Sequence, residues 1–179
     1  MTCIVGYIDK KNKKVIIGAD SAGVSGLDIT LRRDEKVFKN EDFVIGCTSS
    51  FRMIQLLRFS FKPPKVYDKD IYEYMCTDFI NSVRKCFEEG GFLKKYNEGD
   101  ELGGTFLVAY KDRLFKVCND FQVSESLAIY DACGCGENYA LGSIYSTSKS
   151  NSESIVTDAL KCAENFSGGV RSPFIILST

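Results

Sequence analysis

The chain has 179 residues, 44% of them hydrophobic and 26% charged, with a formal net charge of -1. This is ordinary globular usage, which excludes disordered and fibrous classes, and the balanced charge gives no electrostatic footprint for nucleic acid. No apolar run approaches the ~20 residues of a membrane span.

Cys3–Ile8 is a short strand-like run followed at once by Asp9 and lysines, so the N-terminus does not read as a signal peptide and a cytoplasmic protein is expected. A chain of this size buries roughly 70% of its unfolded surface, enough for one real core. With no linker, repeat or low-complexity segment, residues 1–179 read as a single domain.

Strands open the chain. Thr2–Asp9 and Lys14–Asp20 are joined by a Lys10-Lys11-Asn12-Lys13 turn and read as a hairpin. Their lack of clean alternation, as in Val15-Ile16-Ile17-Gly18-Ala19, is expected of strands covered on both faces. A loop is expected over Ser21–Thr30, then short strands over Glu35–Lys39 and Phe43–Cys47. Two helices follow. Ser50–Phe61 is stopped by Pro63-Pro64. Ile71–Glu89 carries Ile71, Met75, Phe79, Val83 and Phe87 at an unbroken spacing of four, a stripe that reads as core packing. Asp70 and Glu73 form a capping pair at its start.

The second half repeats the pattern. Strands are expected over Thr105–Tyr110, Leu114–Cys118, Phe121–Val123 and Tyr130–Cys133, helices over Glu137–Ser146 and Ser152–Asn165, and a last strand over Pro173–Thr179. This order predicts an α+β fold: a four-layer αββα sandwich of two antiparallel sheets flanked by helices, in which every apolar face finds cover.

The chain has no histidine. That removes Ser-His-Asp and Cys-His systems and His-ligated zinc. A catalytic base must come from a carboxylate, lysine, tyrosine, cysteine or the α-amine. The eight cysteines contain no Cys-x-x-Cys pair and read as free, mostly apolar side chains, so neither a disulfide framework nor a metal site is expected. No cofactor is expected either. Thr2, beside an initiator Met1 that is expected to be removed, offers a hydroxyl nucleophile and an α-amine of pKa ~7.7–8.0 in one residue. Cys3 is a thinner alternative nucleophile, because exposing its amine needs a second cleavage.

Met1-Thr2-Cys3-Ile4-Val5-Gly6, Gly18-Ala19-Asp20-Ser21 and Asp34-Glu35-Lys36-Val37-Phe38 together resemble the opening of proteasome β-type subunits. Gly134-Cys135-Gly136-Glu137-Asn138-Tyr139-Ala140-Leu141-Gly142 is similar to a run in the bacterial HslV peptidase, and Ser167-Gly168-Gly169 to the proteasomal turn before the last strand. The resemblance spans nearly the whole chain. It implies an N-terminal-nucleophile (Ntn) hydrolase, a threonine-type endopeptidase with Thr2 as nucleophile. Asp20 and Lys36 match the family's aspartate–lysine pair, the backbone N–H of Ser50 its oxyanion donor, and Cys135, Glu164 and Ser167 the remaining site positions. Three positions depart from the pattern: Ser50 replaces a glycine, Cys135 a serine and Glu164 an aspartate.

The resemblance further implies unfolded protein or peptide substrates, a homo-oligomeric ring and a separate ATP-dependent unfoldase. The chain itself carries no Gly-x-x-x-x-Gly-Lys-[Ser/Thr] motif. Two alternatives stand beside this reading: a non-catalytic structural subunit of the same fold, and an Ntn amidohydrolase acting on small amides.

Overall fold

The structure, a computed structural model, describes residues 1–96, 99–101 and 103–179. In chain order the first half holds β1 (Cys3–Asp9), β2 (Lys14–Ala19), β3 (Ala22–Ser25), β4 (Asp28–Leu31), β5 (Val37–Asn40), β6 (Phe43–Cys47), α1 (Phe51–Phe59), α2 (Ile71–Tyr74), a π-helical stretch (Met75–Phe79) and α3 (Ile80–Glu89). The second half holds β7 (Lys94–Tyr96), β8 (Gly99–Glu101), β9 (Phe106–Tyr110), β10 (Arg113–Val117), β11 (Val123–Ser124), β12 (Tyr130–Gly134), α4 (Glu137–Tyr145), α5 (Ser152–Phe166) and β13 (Ile175–Ser178).

Two antiparallel sheets form the centre, one ordered β12-β1-β2-β13 and the other β11-β10-β9-β6-β5. Both faces of each sheet are covered, and the period-two geometry of a strand sorts its side chains between the two covers. On β1, Ile4 joins Ile17, Val44, Leu107 and Leu114 in the layer between the sheets. Its neighbours Cys3 and Val5 face the other way, onto Ala140, Val156, Ala159 and Leu160 of α4 and α5. On β6 and β9, Val44, Leu107 and Ala109 point inward between the sheets. Phe43, Ile45, Phe106 and Val108 point outward onto Met53, Leu57, Phe79 and Phe87 of the helical layer over the second sheet. This is the expected αββα sandwich, and it explains why the strands read as continuous apolar runs.

The expected loop over Ser21–Thr30 is instead a short hairpin in which Val24 opposes Ile29. All of β4 is exposed, so no buried face imposes an alternation. The long second helix is interrupted by the π stretch. Residues four apart drift about 40° per step on a 3.6-residue helix, about 160° from Ile71 to Phe87. Widening to i→i+5 bonding over Met75–Phe79 unwinds part of that drift and leaves Met75, Phe79, Val83 and Phe87 all buried. Thr77 Oγ1, donating to the Glu73 carbonyl at 2.7 Å, sits in this stretch. Asp70 caps the start, its carboxylate accepting from the N–H groups of Tyr72 and Glu73.

Among the described residues no helix is long and apolar enough to cross a membrane. All eight cysteines are free thiols.

Candidate active site

The β1–β2 hairpin and the pairing of Cys3 with Gly134 on β12 fix where the chain's first residues lie. Thr2 is the residue just before β1. Its carbonyl accepts from Gly136 N–H at 3.3 Å, and its N–H points at Cys135 Sγ, 3.3 Å away. Gly134 has φ +100, and a Cβ there would stand 2.2 Å from the Thr2 carbonyl oxygen. Only glycine lets β12 pass this close to Thr2. Gly134→Ala is therefore expected to lower stability by at least about 1–3 kcal/mol, measured as a lower urea midpoint at unchanged slope.

Asp20 directly follows β2 and is 1% exposed. Its Oδ1 accepts from Cys3 N–H at 3.0 Å and from Lys36 Nζ at 2.9 Å, and its Oδ2 from Ala22 N–H at 2.9 Å and Arg171 N–H at 3.4 Å. The carboxylate thus spends its lone pairs on holding Lys36 and on tying three chain segments together. Lys36, just before β5, is 2% exposed. Burial pulls its ammonium below the ordinary lysine range, and the neighbouring Asp20 carboxylate pushes back. Its Nζ reaches the Met1 carbonyl oxygen at 3.5 Å, the same oxygen to which the Thr2 hydroxyl donates. The threonine hydroxyl and the lysine ammonium therefore converge on one point.

Cys135 follows β12 in the turn before α4. It lies 3.3 Å from the Thr2 nitrogen and 3.3 Å from Ser167 Oγ, and its thiol donates to the Thr2 carbonyl at 3.4 Å. Ser167 is the C-cap of α5, placed by its N–H on Ala163 O. The structure thus brings Thr2, Asp20, Lys36, Cys135 and Ser167 together. Glu164 stands one step away: its carboxylate accepts from Ser172 N–H at 2.7 Å and braces the turn that carries Ser167.

Ser50 caps α1 through its hydroxyl, which accepts from Met53 N–H. Its own backbone N–H does not face Thr2 but donates to the Thr48 carbonyl at 2.7 Å. That three-residue turn is centred on Ser49 at φ +65, an uncommon conformation for a residue with a side chain. Met1 is 54% exposed and lies over the site, its side chain against Gly169. Cys3 is fully buried, and burial pushes its thiol far up and away from thiolate chemistry.

Three supporting residues carry no local signal in the sequence. Thr48 Oγ1 donates to Thr105 O at 2.7 Å and accepts from Thr105 N–H, pinning the end of β6. The Arg171 guanidinium donates to the carbonyls of Glu164, Ser167 and Val170 and holds the Ser167 turn. Ser21 donates to Pro173 O at 2.6 Å. Each acts across a long sequence separation or inside an irregular turn, where spacing rules are silent.

No family model and no curated protein sequence matches the chain. Solved structures do. The chain is similar to the Thiobacillus denitrificans BPH structure in complex with epoxomicin, at a TM-score of 0.81 and 19% identity over 99% of this chain and 98% of that one. It is similar to eukaryotic HslV from Trypanosoma brucei, at a TM-score of 0.68 and 16% identity over 99% and 98%. An Anbu (Gly-1) mutant from Hyphomicrobium sp. strain MC1 aligns at a TM-score of 0.70 and 12% identity over 100% of this chain and 82% of that one. At these identities the likeness is one of fold, and the chain therefore has the αββα fold shared by the BPH, HslV and Anbu structures.

Proposed function

We propose that the chain, acting as one Ntn-hydrolase domain, is a threonine-type endopeptidase of the HslV and proteasome kind. The observation that carries the reading is that the Thr2 hydroxyl and the Lys36 ammonium both reach the Met1 carbonyl oxygen, which leaves with Met1 and so frees both groups to face one place, with Lys36 held by buried Asp20. Removal of Met1 turns the Thr2 nitrogen into an α-amine beside Cys135 and Ser167. That amine takes the hydroxyl proton as Oγ attacks a peptide carbonyl carbon. The proton passes to the leaving amine, an ester joins the acyl fragment to Thr2, and water activated by the same amine releases it. Lys36 favours the developing alkoxide.

The Ser50 N–H serves as oxyanion donor once the Thr48–Ser50 turn rotates it off the Thr48 carbonyl. That engaged N–H, with Cys135 at a serine position, favours the non-catalytic scaffold as the second reading. Exposed Leu27, Ile29 and Leu31 on the β3–β4 hairpin support assembly with further copies into a ring, to which a separate ATP-dependent unfoldase would deliver unfolded protein.

The test is the intact mass of the purified protein followed by incubation with epoxomicin. A chain lighter by one methionine that gains one inhibitor mass supports the peptidase. A chain that keeps Met1, or a processed chain that stays unlabelled, sinks it in favour of the scaffold.

Cys135 gives a graded prediction within this reading. A hydroxyl is a stronger hydrogen-bond donor and acceptor than a thiol. Cys135→Ser is therefore expected to raise kcat/KM several-fold and Cys135→Ala to lower it, read by steady-state peptide hydrolysis.

A further inference from the structure

The turn between β12 and α4 sets an exposed thiol against the first residues of the chain. The Cys135 Sγ lies 3.3 Å from the Thr2 nitrogen, 3.4 Å from the Thr2 carbonyl oxygen and 3.3 Å from Ser167 Oγ. Positive charge gathers around it. The N-terminus of α4 begins at the next residue, Gly136, and the Lys36 ammonium is within electrostatic reach. Exposed thiols in such surroundings are the ones that react with peroxide.

The Thr2 nitrogen that meets this thiol does not owe its place to Met1. Cys3 is paired with Gly134 on β12 and its N–H is held by Asp20, while the Thr2 carbonyl accepts from Gly136 N–H. Loss of Met1 breaks the bond on the far side of the nitrogen and leaves an amine against Sγ. An α-amine of pKa ~7.7–8.0 is in part neutral near neutral pH, with its lone pair free. A separation of 3.3 Å is that of two atoms poised to react.

Building on the peptidase reading, which supplies the amine, we propose that Cys135 and the Thr2 α-amine form a redox switch. Under peroxide the two join through a sulfur–nitrogen bond that takes the catalytic base out of action. The Cys135 thiolate attacks a peroxide oxygen and displaces hydroxide; sulfur loses two electrons, the peroxide gains them, and a sulfenic acid results. The amine then attacks that sulfur, and the sulfenic hydroxyl leaves with one amine proton as water. A small thiol reverses the change. It attacks the sulfur and releases the amine, and a second thiol frees Cys135 from the mixed disulfide.

Cys3 is the rival partner by position, since a Cβ at Gly136 would stand 2.9 Å from its Sγ. It is fully buried, and burial pushes its thiol far up, so it offers the sulfenic acid no thiolate.

The experiment treats processed protein, its start at Thr2 confirmed by intact mass, with hydrogen peroxide. Intact mass, tandem mass spectra of a digest and peptide hydrolysis are read together. The expected product is about 2 Da lighter than the reduced chain, with the Thr2 nitrogen bonded to Cys135. Hydrolysis falls by on the order of tenfold or more as the base is lost, and dithiothreitol restores both mass and rate. Cys135→Ser forms no link and keeps its own rate under the same treatment. Cys3→Ala keeps the link, because a disulfide to Cys3 is not the product.

Cys135 that takes up oxygen without joining Thr2, a link that disappears in Cys3→Ala, or an equal loss of hydrolysis in Cys135→Ser overturns the inference and leaves the peptidase standing. A link that forms in a protein whose reduced form cleaves no peptide sustains the thiol–amine chemistry and overturns the peptidase reading instead. A chain that keeps Met1 has no amine and overturns both.

Discussion

Asp20→Ala is expected to cost about 3–5 kcal/mol of stability, the scale for leaving a buried partner charge alone, and to abolish peptide hydrolysis. The carboxylate accepts four donors, and one of them is an ammonium only 2% exposed to water. Without Asp20 the ammonium stays in its buried site with no counter-charge. Asp20→Asn keeps the shape and removes the charge, so it separates the mechanistic effect from the loss of folding expected in the alanine variant.

The sign follows from the burial of Lys36, which already lowers its affinity for a proton against the opposing pull of Asp20. With Asp20 neutralised, the largest influence opposing desolvation is gone and the ammonium loses its proton at lower pH. If Lys36 works as a cation, the alkaline limb of the kcat/KM profile moves to lower pH in Asp20→Asn. Stability moves the other way. Between the lowered native value and ~10.4 the unfolded chain binds the proton that native Lys36 has released, so stability from this group rises with pH. In Asp20→Asn that rise begins at lower pH. An alkaline limb that does not move would show that the Lys36 charge does not serve the rate.

Much of the fold is legible in the sequence because covered strands and amphipathic helices leave one-dimensional traces. The β1–β2 hairpin is announced by its lysine-rich turn, and α5 by the buried positions Ile155, Val156, Ala159, Leu160 and Ala163. What the sequence hides is local structure that buries little. The β3–β4 hairpin passes for a loop because its outer strand has no covered face to pattern. The π stretch is different: five apolar residues at a constant spacing of four are incompatible with a straight α-helix, so the trace was there and speaks of unwinding rather than of a uniform stripe.

At the site the same distinction holds. The Asp20–Lys36 pairing is legible through the family resemblance, and its burial follows from the strand ends that carry it. The direction of the Ser50 N–H depends on one backbone angle at Ser49, to which neither composition nor spacing is sensitive. The Arg32 guanidinium, stacked 3.7 Å from the centre of the Phe51 ring, joins the strand-end segment before Lys36 to a helix across 19 residues, so only the folded chain brings the two together.

Thr2→Ala is expected to lower kcat by on the order of 10³-fold or more with little change in stability, since it removes the attacking atom and only one side-chain hydrogen bond. Thr2→Ser keeps the hydroxyl and is expected to retain measurable turnover. The decisive comparison is with a chain in which Met1 cannot be removed, for example with a lysine inserted after it. Such a chain keeps the hydroxyl, Asp20 and Lys36 but has an amide where the mechanism needs an amine, and an amide nitrogen does not take a proton near neutral pH. It is expected to be as inactive as Thr2→Ala and to show the same unfolding midpoint as the wild type. Peptide hydrolysis by the Met1-retaining chain would mean that the base is another group, with Lys36 the next in line by position. Hydrolysis surviving in Thr2→Ala would remove Thr2 from the chemistry altogether.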